Sequence, residues 1–287
     1  MPHISHPAAY LRAMGSNEVE QLRVESLYRY PVKSMLGERV DALLVDARGA
    51  EGDRRLALLD GSTGRVASAK QARLWRDLLR CTASLDSVGI HIALPDGTTT
   101  SSDDDDIDDV LSEFAGRQVR LIDSRPAGAS IERADPQQVL ERGVEAEVEA
   151  PLLELAMATP GDSFVDLAPL HAITTATLER IGVEAARYRP NIVIATPPGY
   201  PAYAENSWTD HVLTVGGTRL RAMGATPRCV IPTLEHGSLP RAPHALRTPA
   251  AENRVDTFGL GPLPCAGTYL EVLTGGTIAT DDLIALG

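Results

Sequence analysis

The chain has 287 residues, enough for one large domain or two ordinary ones, and 43% of them are apolar, as in a soluble globular protein. A formal net charge of −12 argues against generic binding to nucleic acid or anionic membrane, both of which need a basic footprint. Its three cysteines, Cys81, Cys229 and Cys265, form no C-x-x-C pair, which points away from a disulfide framework or structural zinc and towards a reducing cytoplasm.

Residues 1–20 read as a flexible polar extension with a short helix near Ala8 to Met14, without the basic leader and apolar run of a signal peptide. No stretch approaches the roughly 18 to 20 apolar residues of a membrane span. Strand signals begin at Val24 and run to Tyr30-Pro31-Val32-Lys33-Ser34, where the proline imposes an edge or a loop. Further short strands follow at Val40 to Asp46, Arg54 to Asp60 and Arg65 to Ser68, so a barrel or sandwich is expected. Gln71 to Cys81 has a helical spacing of Leu74, Trp75, Leu78 and Leu79, and Ile90, Ile92 and Leu94 alternate as in a half-buried strand. The acidic run from Asp103 to Asp109 reads as the solvated start of a helix, because it lacks the Gly and Glu spacing of a calcium loop.

After Val119 to Ile122, residues 124–150 have few large apolar side chains and read as a linker or surface excursion between a domain at 21–123 and one at 151–287. Thr174 or Thr175 is a plausible N-cap, and Ile192 to Ala195 a buried strand. Val212 to Val215, Gly216-Gly217 and Arg219 to Ala222 make a hairpin. Next, Pro227-Arg228-Cys229-Val230-Ile231-Pro232 holds a thiol between two prolines, which is a shaped loop, with an arginine beside it. Reactive thiolates need such an electropositive setting. Pro240 to Pro264 lacks periodicity and is expected to wrap the surface, and Gly267 to Val272 and Thr277 to Ile284 close the pattern.

Four separated segments place cations or donors on irregular backbone at strand ends: Lys33-Ser34, Arg54, Arg189 with Asn191, and Arg228 before Cys229. Together they could form a pocket for phosphate or a polar cofactor; taken singly, each is also ordinary surface basicity. No H-x-x-x-H, G-x-S-x-G, G-x-G-x-x-G or P-loop pattern is present, so zinc hydrolase, serine hydrolase, Rossmann and P-loop readings lack an anchor.

Tyr30-Pro31-Val32-Lys33-Ser34, Gly52-Asp53-Arg54, Ile173-Thr174-Thr175, Tyr188-Arg189-Pro190-Asn191, Glu205-Asn206-Ser207-Trp208 and Pro227-Arg228-Cys229, in this order, resemble the MOSC family in its two-part form. The resemblance implies a mainly β fold with peripheral helices, as two β-barrel-like domains: an N-terminal MOSC barrel and the MOSC domain. It implies a molybdenum cofactor with Cys229 as the protein ligand to Mo, and with Lys33, Ser34, Arg54, Thr174, Arg189 and Asn191 contacting the pterin or its phosphate. Arg228 would either neutralise the cofactor or anchor the loop. The implied activity is two-electron reduction of an N-hydroxylated small molecule, with electrons from a separate donor protein, since three scattered cysteines cannot hold an iron–sulfur cluster. A non-catalytic carrier of cofactor or sulfur on Cys229 is the alternative, and a small-molecule binder that has lost the metal is a third. The Asn206 and Thr280-Asp281-Asp282 positions depart from the family pattern.

Overall fold

The structure, a computed structural model, describes residues 21–287, so the extension expected over 1–20 lies outside it. The fold is mainly β with peripheral helices. Val24 and Leu27, three apart, would face opposite ways on a regular strand. A bulge between Val24 and Ser26 in the Arg23–Arg29 strand brings both into one core.

This first strand joins a nine-stranded sheet built mostly from the second half of the chain. It pairs antiparallel with Glu38–Val40 on one side and Ile192–Ala195 on the other. Ile192–Ala195 lies parallel to Leu170–Thr174, and the crossover a parallel pair requires contains the Thr175–Ile181 helix. Thr174 caps that helix, its hydroxyl accepting from the Thr177 amide. Leu170–Thr174 is buried at every position and pairs with the 13-residue strand Pro262–Thr274. That strand carries Thr218–Pro227, beyond which lie Val212–Val215 and Ile284–Leu286.

The first half adds shorter ladders: Thr82–Leu85 with Ile90–Ala93 and Thr99–Ser101, and Ala57–Asp60 with Val119–Ile122. They enclose a core of their own, including Leu58, Trp75, Leu78, Ile92 and Leu111. Ala42–Asp46 pairs with Gly276–Ala279 from the far end of the chain, a second seam between the halves. The acidic run leads into the Ile107–Ala115 helix with Asp108 and Asp109 in its first turn, where the helix dipole favours them.

Two segments are more ordered than their sequences suggest. Pro240 to Pro264 contains a helix, His244–Glu252, and a strand, Arg254–Asp256, and Pro262 begins the long strand. The helix buries only Ala245, Leu246 and Pro249, too small an apolar stripe to register as periodicity. The 124–150 stretch carries the Ser130–Glu132 strand and the Pro136–Arg142 helix, capped by Asp135 with Pro136 in the first turn. Its Ala134 and Val139 pack with Val230, Ile231 and Leu234, so this stretch supports the segment just after Cys229.

Candidate active site

Between the two halves lies a narrow cleft, open to solvent and lined by residues of both. Its first wall is the Tyr30–Met35 stretch, which lies alongside Leu56: Lys33 N donates to Leu56 O at 2.8 Å and Leu56 N to Pro31 O at 3.0 Å. Ser34 has a left-handed backbone, φ +66, and its hydroxyl accepts from Ala69 N at 3.0 Å. The buried Lys33 ammonium donates to Phe164 O and to Asp166 Oδ1, both at 2.8 Å. An ammonium has three N–H groups, so one remains. Lys70 reaches the other Asp166 oxygen at 3.0 Å. Burial pulls Lys33 down to about 8 despite Asp166. For Asp166 burial pushes upward, but Lys33 and Lys70 outweigh it and hold the carboxyl well below the usual range.

Arg54 and Arg189 form the second wall, each with its guanidinium 4.4 Å from the Tyr30 ring centroid. Arg54 donates to Asp53 Oδ2 at 2.5 Å and to Arg189 O at 3.0 Å. Arg189 donates from Nη1 to Met35 O at 2.6 Å, whereas its buried Nη2 has no partner. Burial and the neighbouring Arg54 lower Arg189 to about 10. Arg54 and Arg189 have φ of +46 and +54, so with Ser34 three of the eight left-handed non-glycine residues among the described residues line this one cleft. Backbone strain concentrated in this way is typical of functional sites.

The third wall is the Cys229 loop. The Thr218–Pro227 strand ends at Pro227, Arg228 N donates to Pro264 O at 2.8 Å, and the Ile231–Thr233 turn of 3₁₀ helix follows. Val230 is fully buried beside it, which fixes the backbone on which Cys229 is displayed. Cys229 is half-buried, whereas Cys81 and Cys265 are buried. The Arg228 guanidinium turns inward: Nε and Nη2 donate to Ala266 O, Nη1 to Tyr188 O, and Nη2 also meets His171 Nε2. Four of its five N–H donors are thus committed to anchoring the loop. Burial, then Arg228 and Arg54, keep His171 well below its ordinary pKa and therefore neutral. Lys70 and Arg228 both lie within electrostatic reach of Cys229. Thr226 lines the cleft, and its buried hydroxyl has no hydrogen-bond partner.

Of the residues expected at the site, Lys33, Ser34, Arg54, Arg189, Asn191, Arg228 and Cys229 line this cleft. Thr174 does not. It is fully buried, and its hydroxyl bonds to Glu205 Oε2 at 3.1 Å and to Thr177. The Asn191 amide is partly committed, its Oδ1 accepting from His171 N at 3.2 Å and its Nδ2 donating to Tyr28 O at 3.4 Å, which leaves one N–H. Asp166, His171, Thr226 and Tyr269 also line the cleft, although sequence reasoning did not assign them to it.

A family profile described as "MOSC N-terminal beta barrel domain" matches residues 21–123, and one described as "MOSC domain" matches residues 163–285. The chain belongs to the MOSC family. Lys33, Ser34 and Arg54 come from the first matched region of this MOSC protein, and His171, Arg189, Asn191, Arg228 and Cys229 from the second. Among solved structures, the YUAD protein from Bacillus subtilis is similar at 12% identity and a TM-score of 0.38, over 93% of this chain and 95% of that one. YiiM from Geobacillus stearothermophilus is similar at 16% identity and a TM-score of 0.29, over 42% of this chain and 54% of that one. No curated protein matches the chain. The MOSC family is associated with the molybdenum cofactor, and no helix among the described residues is long and apolar enough to cross a membrane.

Proposed function

We propose that this cleft binds a phosphate-bearing molybdenum cofactor, with Cys229 as the protein's ligand to the metal, and that the protein reduces N-hydroxylated or related N-oxygenated compounds. The observation that carries the reading is charge. Lys33, Arg54, Arg187, Arg189 and Arg228 line the cleft against one carboxylate, Asp166, in a chain of net charge −12. Arg189 and Thr226, which line the cleft, each carry a buried donor without a partner, Nη2 and Oγ1, and a buried polar atom without a partner is costly. These residues fit an anionic, oxygen-rich ligand. Among the described residues no group of three or more His, Cys, Asp or Glu side chains could hold a metal, so a metal at Cys229 would take its other ligands from the bound molecule. Thiolate ligation suits a soft transition-metal centre.

When bound, the cofactor supplies the two-electron redox chemistry that an N–O bond requires. The balance is one N–OH compound, two electrons and two protons giving one N–H compound and water, with the electrons coming from a separate donor protein. Within the chain, Lys33 and Arg189 would hold the phosphate, Lys33 as a point charge and Arg189 as a guanidinium with an unpartnered Nη2. Asp166 positions Lys33, Arg228 fixes the Cys229 backbone, and Ser34 and Asn191 shape the pterin wall. Tyr269 lines the cleft and keeps its phenolic proton, its pKa raised by burial and by Asp166, so its O–H is available as a donor.

Elemental analysis of protein made in a cofactor-competent host tests the first half of this reading. About one Mo per chain is expected in wild type and far less in Cys229→Ala, with the thermal midpoint little changed because Cys229 is only half-buried. Equal metal in both proteins would refute ligation by Cys229. The second half is tested by adding a chemical reductant and an amidoxime to the loaded protein. Bound Mo without turnover of any amidoxime, hydroxylamine or N-oxide would leave the carrier role as the function.

A further inference from the structure

Next to Tyr269, a residue of the cleft lining, two exposed apolar side chains lie on the surface. Phe258 is 41% exposed with φ +54, and Leu260 is 60% exposed. A bulky residue bears two costs there, a left-handed backbone and a wet ring. The loop that displays it is well tied. Thr257 Oγ1 donates to Ala225 O at 3.0 Å, Leu260 N to Thr257 O at 3.1 Å, and Gly261 N to Asp256 Oδ1 at 3.1 Å.

Gly224 permits the close approach of this loop, since a Cβ there would stand 3.1 Å from Thr257 Oγ1 and 3.3 Å from Phe258 Cζ. Across the sheet Gly224 is paired with Tyr269, and Tyr269 with His171. The Phe258 and Tyr269 ring centroids are 6.0 Å apart, and those of Tyr269 and His171 are 6.1 Å apart. Tyr269 and His171 line the cleft, so a row of three rings runs from the cleft lining to the exposed Phe258.

We infer that Phe258 is a specificity-determining residue: its exposed ring is the platform for the aryl or bulky alkyl group of an N-oxygenated substrate whose polar end enters the cleft. This rests on the proposed function.

Binding of N-hydroxybenzamidine and of N-hydroxyacetamidine to molybdenum-loaded protein, without reductant and hence without turnover, tests this by ligand-observed NMR titration. Phe258→Gly removes the ring and also suits the left-handed backbone, so the variant should fold with an unchanged or higher thermal midpoint. Phe258→Asn, which also tolerates that backbone, separates loss of the ring from loosening of the loop. The wild type should prefer the aryl compound, and that preference should fall about three- to tenfold in both variants, as expected for a lost aromatic pair. A preference that survives in either variant overturns the inference, as does equal binding of the two compounds, or no binding, in wild type. If Phe258-dependent binding persists but reduction is absent, the reductase reading falls and the platform stands. If reduction proceeds and the variants keep their preference, only the platform falls.

Discussion

Lys33 carries the most readable chemistry of any single residue in the cleft. Burial lowers its pKa from 10.5 to about 8. Below pH 8 it is charged in both folded and unfolded chains, and the full cost of burying the charge is present. Between about 8 and 10.5 the unfolded chain keeps a proton that the folded chain sheds, so the contribution of Lys33 to stability rises through that window. Anion affinity moves the opposite way. With sulfate as a probe of constant charge, calorimetry should show binding that weakens above pH 8 in wild type and a flatter profile in Lys33→Met. Matching profiles would show that Lys33 does not hold the anion. Lys33-Ser34 and Arg228-Cys229 were legible in the sequence because proline marks their backbone as irregular. Asp166 and Lys70 were not, since their meaning comes from a three-way pairing with Lys33 that no local pattern encodes. Thr174 was half legible. Its capping role follows from position, whereas its hydroxyl goes to the buried Glu205 instead of the cleft.

At the scale of elements, the Pro262–Thr274 strand links the parts of the site. It pairs with the strand that ends at Pro227, two residues before Cys229, and with the strand that carries His171, and it supplies Tyr269 and the carbonyl of Ala266 that anchors Arg228. Gly267 lies within it at φ +79, and a Cβ there would stand 2.4 Å from His171 Nε2 and 2.5 Å from Ala172 O. Gly267→Ala should therefore destabilise the protein by about 3 kcal/mol, from backbone strain and steric clash together. It should also reduce metal content by disturbing His171 and Arg228. A thermal midpoint within a degree or two of wild type would contradict that prediction. The strands were legible wherever apolar residues alternate, as at Ile90 to Leu94. The His244–Glu252 helix was not, because Pro249 and two small or medium apolar residues make up its whole buried face.

Over the whole molecule, the two matched regions share one sheet and one core. Val24, Leu27 and Val45 of the first pack with Leu170, Ile192 and Leu270 of the second. The halves should then unfold together, and the chain has a reporter in each. Trp75 is buried in the first-half core and Trp208 in the shared one, and the sequence contains only these two tryptophans. Fluorescence of Trp75→Phe and Trp208→Phe during denaturant unfolding, each compared with circular dichroism of the same variant, should give one coincident transition per variant. Separate transitions would mean that the halves are independent domains. The shared sheet escaped sequence reasoning because strand pairing between distant segments leaves no periodic trace. That distance also imposes an order in time. Lys33 is 133 residues from Asp166, Arg54 is 135 from the Arg189 carbonyl it binds, and Arg189 is 154 from that of Met35. Contacts so remote form after the local hairpins, once the entropy of closing long loops has been overcome. Until those pairings close, the cleft is not assembled, so any ligand it holds has to bind after the last long-range contact rather than to the local hairpins.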